Sequence, residues 1–203
     1  MKHLFCILLI VITSACNNSN KVEKETVEPV ETASEKKSSL VTTNGINSRL
    51  PDTENNETVM MVGKANRKGL EKEPFKAWFD EGYKTYEPNE ATINELKPLL
   101  KNVTIKAFMG TWCEDSQREI PHFYAIMDAA NFNYDNLELV TMTHEKDTPQ
   151  GFEKDLNIEF VPTLIFYRDG EELGRFVEYA QDSLENDILA IVSGKEYKHA
   201  YAE

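Results

Sequence analysis

From residue 103 to 194 the chain alternates short apolar runs with stretches whose apolar residues recur every three or four positions. VTIKAFM (103–109), LELVTMT (137–143) and TLIFY (163–167) are apolar runs of strand length, and each predicts a buried strand. Between the first two, residues 114–130 place Ile120, Phe123, Tyr124 and Met127 at helical spacing, with Pro121 expected to kink the helix. TPQGFEKDLN (148–157) allows either a short helix or a turn. Asp169-Gly170 is a hairpin signal, and LGRFVEY (173–179) reads as the returning antiparallel strand. Asp182 or Ser183 then caps a closing helix that turns Leu184, Ile188, Leu189 and Val192 inward. Upstream, 71–86 spaces Phe75, Trp78, Phe79, Tyr83 and Tyr86 as one helical face. Ile93, Leu96, Leu99 and Leu100 form another, with Pro98 limiting its length.

The order is helices, then β-α-β-α, then a hairpin, then a helix. A strand–helix–strand unit implies a parallel pair with a right-handed crossover, and the hairpin adds an antiparallel edge. The expected fold class is α/β: a three-layer sandwich with a central mixed sheet, helices on both faces and an N-terminal helical extension.

The first 57 residues break this pattern. Lys2 and His3 precede an apolar stretch at 4–12 that ends in small residues before Cys16, the layout of a secretory signal. ITSAC (12–16) resembles the bacterial lipoprotein box, although Thr13 stands where leucine is usual. Residues 1–15 are therefore expected to be a lipoprotein-type signal peptide, with Cys16 the lipidated residue. Residues 16–57 are poor in large apolar side chains and read as a disordered tether, leaving 58–203 as the folded domain. This organisation predicts a lipid-anchored, periplasm-facing protein of the bacterial cell envelope. A net charge of −13 with no basic patch argues against nucleic acid as a partner.

Three cysteines are present: Cys6, Cys16 and Cys113. With Cys6 cleaved away and Cys16 acylated, Cys113 is the one free thiol of the mature chain, and such a thiol in an exported protein is either buried or used. It sits in GTWCEDSQREIP (110–121), at the junction of an expected strand and helix. His3, His122, His144 and His199 show no metal-ligand spacing with it, so no metal site is expected, and His122 reads as packing or surface.

Trp112-Cys113, the helix proline Pro121, Val161-Pro162-Thr163 and the hairpin RDGEELGRF (168–176) occur in order, and together they resemble the thioredoxin superfamily over about 103–194. The resemblance implies that Cys113 is the attacking cysteine, Trp112 its flanking aromatic and Pro162 a cis-proline facing the thiol. In this picture the Val161 backbone meets an extended substrate strand. The resemblance implies no cofactor. Three departures matter. Ser116 stands in place of the resolving cysteine, Ala107 in place of a buried aspartate, and Glu178 near a groove glycine.

A cysteine at a helix start faces unpaired N–H groups and the positive end of the helix dipole, which favour the thiolate. Ser116, one turn along, is expected to donate to the sulfur, while Glu114 and Asp115 oppose ionisation. Glu178 and Glu145 are candidate acid/base groups beside a solvated rim that also includes His144. Without a second thiol, a mixed disulfide at Cys113 needs an external thiol for release. The expected activity is monothiol thiol–disulfide exchange, of the isomerase or deglutathionylation type, on disulfide-containing or thiol-adducted proteins. The alternative is a redox-silent module binding an extended peptide or protein. A thiol peroxidase ranks last, because Thr111 does not stand where a peroxidase motif needs it.

Overall fold

VTIKAFM forms the middle of a sheet because both of its faces find cover. The computed structural model describes residues 45–202. Its strands are β1 Arg49–Pro51, β2 Val59–Met61, β3 Gly63–Ala65, β4 Val103–Met109, β5 Leu137–Thr141, β6 Thr163–Arg168 and β7 Glu171–Val177. Its helices are α1 Arg67–Leu70, α2 Lys76–Thr85, α3 Glu90–Leu99, α4 Glu114–Ala129 and α5 Leu184–Ser193. Five strands form one mixed sheet in the order β3-β5-β4-β6-β7. β4 pairs parallel with β5, and every other neighbouring pair is antiparallel.

Alternation along each strand divides the core in two. Ile105, Ala107, Leu139, Leu164, Phe166 and Phe176 lie on one face, packed against residues of all five helices. Phe108, Val140 and Ile165 lie on the other, with Met142, Ile158 and Val161. The expected mixed sheet flanked by helices is present. On the second face the cover includes Phe152 and Leu156 of the 148–157 segment, which folds as a series of turns.

Local signals explain most element ends. Asn89 caps α3 by accepting from Thr92 N–H, and Ser183 caps α5 by accepting from Asn186 N–H. Asp169 and Gly170 both have positive φ, as a two-residue hairpin turn of the primed type requires. Helix α3 continues one residue past Pro98, and α4 runs through Pro121. Where α2 crosses α4, a Cβ on Gly82 would stand 3.0 Å from the Pro121 ring. The glycine thus lets the two backbones close at the point where proline removes a helical N–H.

The tether boundary needs correction. Residues 45–57 are folded: β1 pairs with β2, and Asp52 is buried at 4% exposure. β1 is three residues long, and its order comes from pairing and from polar contacts rather than an apolar face. The signal peptide, Cys16 and the tether up to residue 44 lie outside the described residues.

Phe166 is fully buried on β6, opposite Ile105 of β4. Phe166→Ala is expected to cost about 3–5 kcal/mol by urea unfolding, from lost transfer energy plus the cavity. A loss below about 1 kcal/mol would contradict this account of the core.

Candidate functional site

The four residues from Gly110 to Cys113 join β4 to α4, and each is held from a different direction. Cys113 is the N-cap residue of α4, with extended backbone and a half-buried side chain. Its N–H donates to Gly110 O (3.1 Å), and its C=O accepts from Gln117 N (2.9 Å). Thr111 Oγ1 accepts from Met61 N–H (3.0 Å), fastening the turn to β2. The Gln117 side-chain amide donates to Thr111 O (2.9 Å). Trp112 Nε1 donates to Met142 O (3.0 Å), beyond the end of β5. A Cβ on Gly110 would lie 2.5 Å from the Trp112 ring, so glycine is what lets the indole fold back over the turn.

The Val161–Pro162 peptide is cis and buried. The Cys113 thiol donates to Val161 O at 3.1 Å, which sets it beside the Val161–Pro162 peptide, and Trp112 packs against the same core face. A carbonyl only accepts, so this bond belongs to the thiol and is lost on ionisation. Cys113 is the only cysteine among the described residues.

Ser116 departs from expectation. It is fully buried, and its Oγ accepts from Gly110 N–H at 3.2 Å. Among the described residues it forms no hydrogen bond to the sulfur. The hydroxyl thus supports the turn, because a buried N–H needs an acceptor. Ala107 is fully buried, with apolar neighbours of the first core face. Of the two acids that oppose ionisation, Asp115 is paired with Arg118 at 2.6 Å, while Glu114 is exposed.

Glu145 is exposed and makes no hydrogen bond or ion pair among the described residues, so nothing aims it at the thiol. Glu178 does reach the proline loop: its N–H donates to Pro162 O at 2.8 Å, and its φ of 67° lies in the left-handed region that favours glycine. Its carboxylate, however, accepts from Tyr201. His122 stacks on Tyr86 at 4.1 Å, a packing role. No cluster among the described residues can hold a metal ion.

The structure adds a network that pattern reasoning missed. The His144 ring stacks on Trp112 with centroids 4.1 Å apart. His144 Nε2 lies 2.9 Å from Asp52 Oδ1, and Nδ1 lies 3.4 Å from Glu54. Asp52 also accepts from Glu54 N–H (2.9 Å) and Asn55 N–H (3.2 Å). Burial pushes the Asp52 carboxyl up, but these hydrogen bonds and His144 outweigh it and hold the group below its ordinary value. Asp52 carried no sequence signal, since it stands in a polar stretch with no apolar period. A cavity of 370 Å³ opens beside Trp112, with Asp52, His144, Phe75 and Trp78 in its wall. A second cavity, of 330 Å³, lies by α1 against Arg67 and Tyr124 and includes neither Cys113 nor the proline loop.

The sheet order, the Trp-Cys turn capping α4 and the cis-proline loop against the thiol define a thioredoxin-type redox scaffold. A family model described as thioredoxin matches residues 71–189, and the chain belongs to the thioredoxin family. The chain is 27% identical to thioredoxin of Mus musculus over 105 residues, covering 52% of this chain and 94% of the relative. Thioredoxin of Rattus norvegicus matches with the same identity and coverage. Among solved structures, a protein of unknown function from Pseudomonas aeruginosa aligns with a TM-score of 0.47 and 17% identity, over 59% of this chain and 84% of the other. Mitochondrial thioredoxin 3 of Saccharomyces cerevisiae, oxidized form, aligns with a TM-score of 0.28 and 22% identity, over 46% and 84%. Family membership supports an oxidoreductase-type role and thiol- or disulfide-bearing protein partners in general.

Asp52→Asn tests whether the N-terminal hairpin positions Trp112. In a Trp78→Phe background, acrylamide quenching of Trp112 is expected to increase when the His144 contact is weakened. Unchanged quenching would contradict the linkage. The pH dependence has a definite sign. The native carboxyl titrates below its ordinary 3.8, so the unfolded chain binds this proton first. The contribution is complete above 3.8 and is lost as pH falls through the lowered native value. Asp52→Asn should therefore flatten the acid limb of a stability–pH profile between 3.8 and the lowered native value.

Proposed function

We propose that the protein carries out thiol–disulfide exchange through Cys113 acting as a monothiol. The observation that carries this reading is the half-buried Cys113 at the start of α4, its sulfur 3.1 Å from the carbonyl of Val161. The thiol first gives its proton to solvent or substrate. The thiolate attacks one sulfur of a substrate disulfide, forming a Cys113–substrate disulfide and releasing the other sulfur as a thiolate. An external thiolate then attacks the mixed disulfide, forming a new disulfide with the substrate and regenerating Cys113. No net oxidation occurs, which suits isomerisation or transfer of a small-thiol adduct such as glutathione.

Three features support this direction. The buried Ser116 hydroxyl cannot resolve the adduct. The Val161 N–H makes no hydrogen bond among the described residues, and this reading assigns it to an extended substrate strand. Pairing of Asp115 with Arg118 offsets part of the negative charge at the helix start. Anchoring through Cys16 at the cell envelope, facing the periplasm, belongs to the same proposal and rests on residues 4–16 of the sequence.

Incubation with a glutathione-adducted protein, quenched in acid, is expected to trap an adduct on the peptide containing Cys113. Cys113→Ser should lose the adduct, and turnover should depend on added thiol. Ser116→Cys should form an internal disulfide and release product without external thiol. Absence of any mixed disulfide on the wild-type thiol, with partners still bound by Cys113→Ser, would replace this reading with the redox-silent binding module. Separately, Cys16→Ala should abolish lipid labelling of the expressed chain.

A further inference from the structure

After α5 the chain turns back toward the site. Tyr197 donates to Asp187 Oδ2 of α5 at 3.0 Å, pinning the start of the segment. Ala202 N–H donates to His199 O (3.0 Å) and Tyr201 N–H to His199 Nδ1 (3.3 Å), so 199–202 form a turn with Tyr201 near its tip. The Tyr201 ring lies flat on Phe160, with centroids 3.9 Å apart and planes 5° from parallel. Tyr179 meets it edge-on at 6.3 Å. The Tyr201 hydroxyl donates to the Glu178 carboxylate. That bond, with burial and the charges of Glu178 and Asp115, pushes the phenol up to about 12. Asp115 is in the first turn of α4, two residues after Cys113.

Two partners of Tyr201, Phe160 and Glu178, flank the proline loop. Phe160 directly precedes Val161, and Glu178 N–H is bonded to Pro162 O. A strand pairing with the Val161 backbone would run past both residues. We infer that residues 197–202 form a strap whose tip, Tyr201, lies across the substrate groove beside Val161. Small thiol adducts reach Cys113 past the strap, whereas extended peptide disulfides must displace it. The inference rests on Cys113 being the reacting group, and it makes Tyr201 a determinant of substrate size.

The half-buried Cys113 fits this arrangement, because a residue that is not fully covered leaves room for a small reagent. Tyr201 itself remains 42% exposed, held by the Phe160 stack, the Tyr179 edge contact and the hydroxyl bond to Glu178. A 230 Å³ cavity remains between the segment and the sheet, with Arg175, Val177 and His199 in its wall. The segment therefore lies over the loop without filling the space behind it.

The test compares the full chain with Tyr201→Ala and Tyr201→Phe, reading modification at the Cys113 peptide by mass spectrometry. Two reagent pairs are used: iodoacetamide against a polymer-linked maleimide, and hydroxyethyl disulfide against an extended peptide bearing a mixed disulfide. Losing one aromatic stack predicts that Tyr201→Ala speeds the bulky maleimide and the peptide disulfide by about five-fold, with both small reagents unchanged. Tyr201→Phe keeps the stack and should give a smaller gain. Equal rates for bulky reagents in all three proteins, or an equal rise for small and bulky reagents, would overturn the strap. If no disulfide reacts with any of the proteins but the maleimide selectivity shifts, the strap stands and the exchange activity falls.

Discussion

Between β4 and α4 the backbone reverses within four residues, and the placement of the thiol can be no better than the hold on that turn. Gly110 N–H is held by Ser116, Thr111 by Met61 and Gln117, and Trp112 by Met142. The bonds come from α4, β2 and the segment after β5, so the turn is fixed by the surrounding fold. With the turn held, the Cys113 side chain has one nearby polar partner, the Val161 carbonyl. Burial of the proline loop against the second core face fixes that carbonyl in turn.

Ser116 shows how replacing a residue type changes chemistry and support together. A hydroxyl oxygen is a better acceptor for a buried amide than sulfur is, and at this position it satisfies Gly110 N–H in a place without solvent. The same oxygen cannot resolve a disulfide. Ala107 continues the theme on β4. A carboxylate there would need a partner among apolar neighbours, and a methyl group needs none. The site keeps one sulfur beside the proline loop, with no second cysteine among the described residues.

The N-terminal hairpin brings two carboxylates, Asp52 and Glu54, to the flanking tryptophan's ring partner. Asp52 orients His144, and His144 lies against Trp112. The aromatic wall of the site is thereby tied to residues about sixty positions earlier in the chain. On the opposite side, Tyr201 approaches from the far end of the described chain and meets Phe160 and Glu178. The groove is framed by segments that precede and follow the family-matched residues 71–189.

Periodicity and turn chemistry were enough to read the central strands, the hairpin at Asp169-Gly170, a cap at Asp182 or Ser183 and the junction carrying Trp112 and Cys113. Those signals are local: side chains alternate every two residues in a strand and return every three or four in a helix, whatever lies beyond them. Residues 45–57 gave no such signal, because a three-residue strand and a capped carboxylate draw their order from distant partners. The sequence likewise determined that Ser116 cannot act as a second thiol, but only the tertiary structure decided what its hydroxyl does. It also decided that Glu178 is occupied by Tyr201 while Glu145 stands apart in solvent. Hydrogen-bond partners separated by tens of residues are chosen by how layers pack, and that choice is written in no single stretch of the chain.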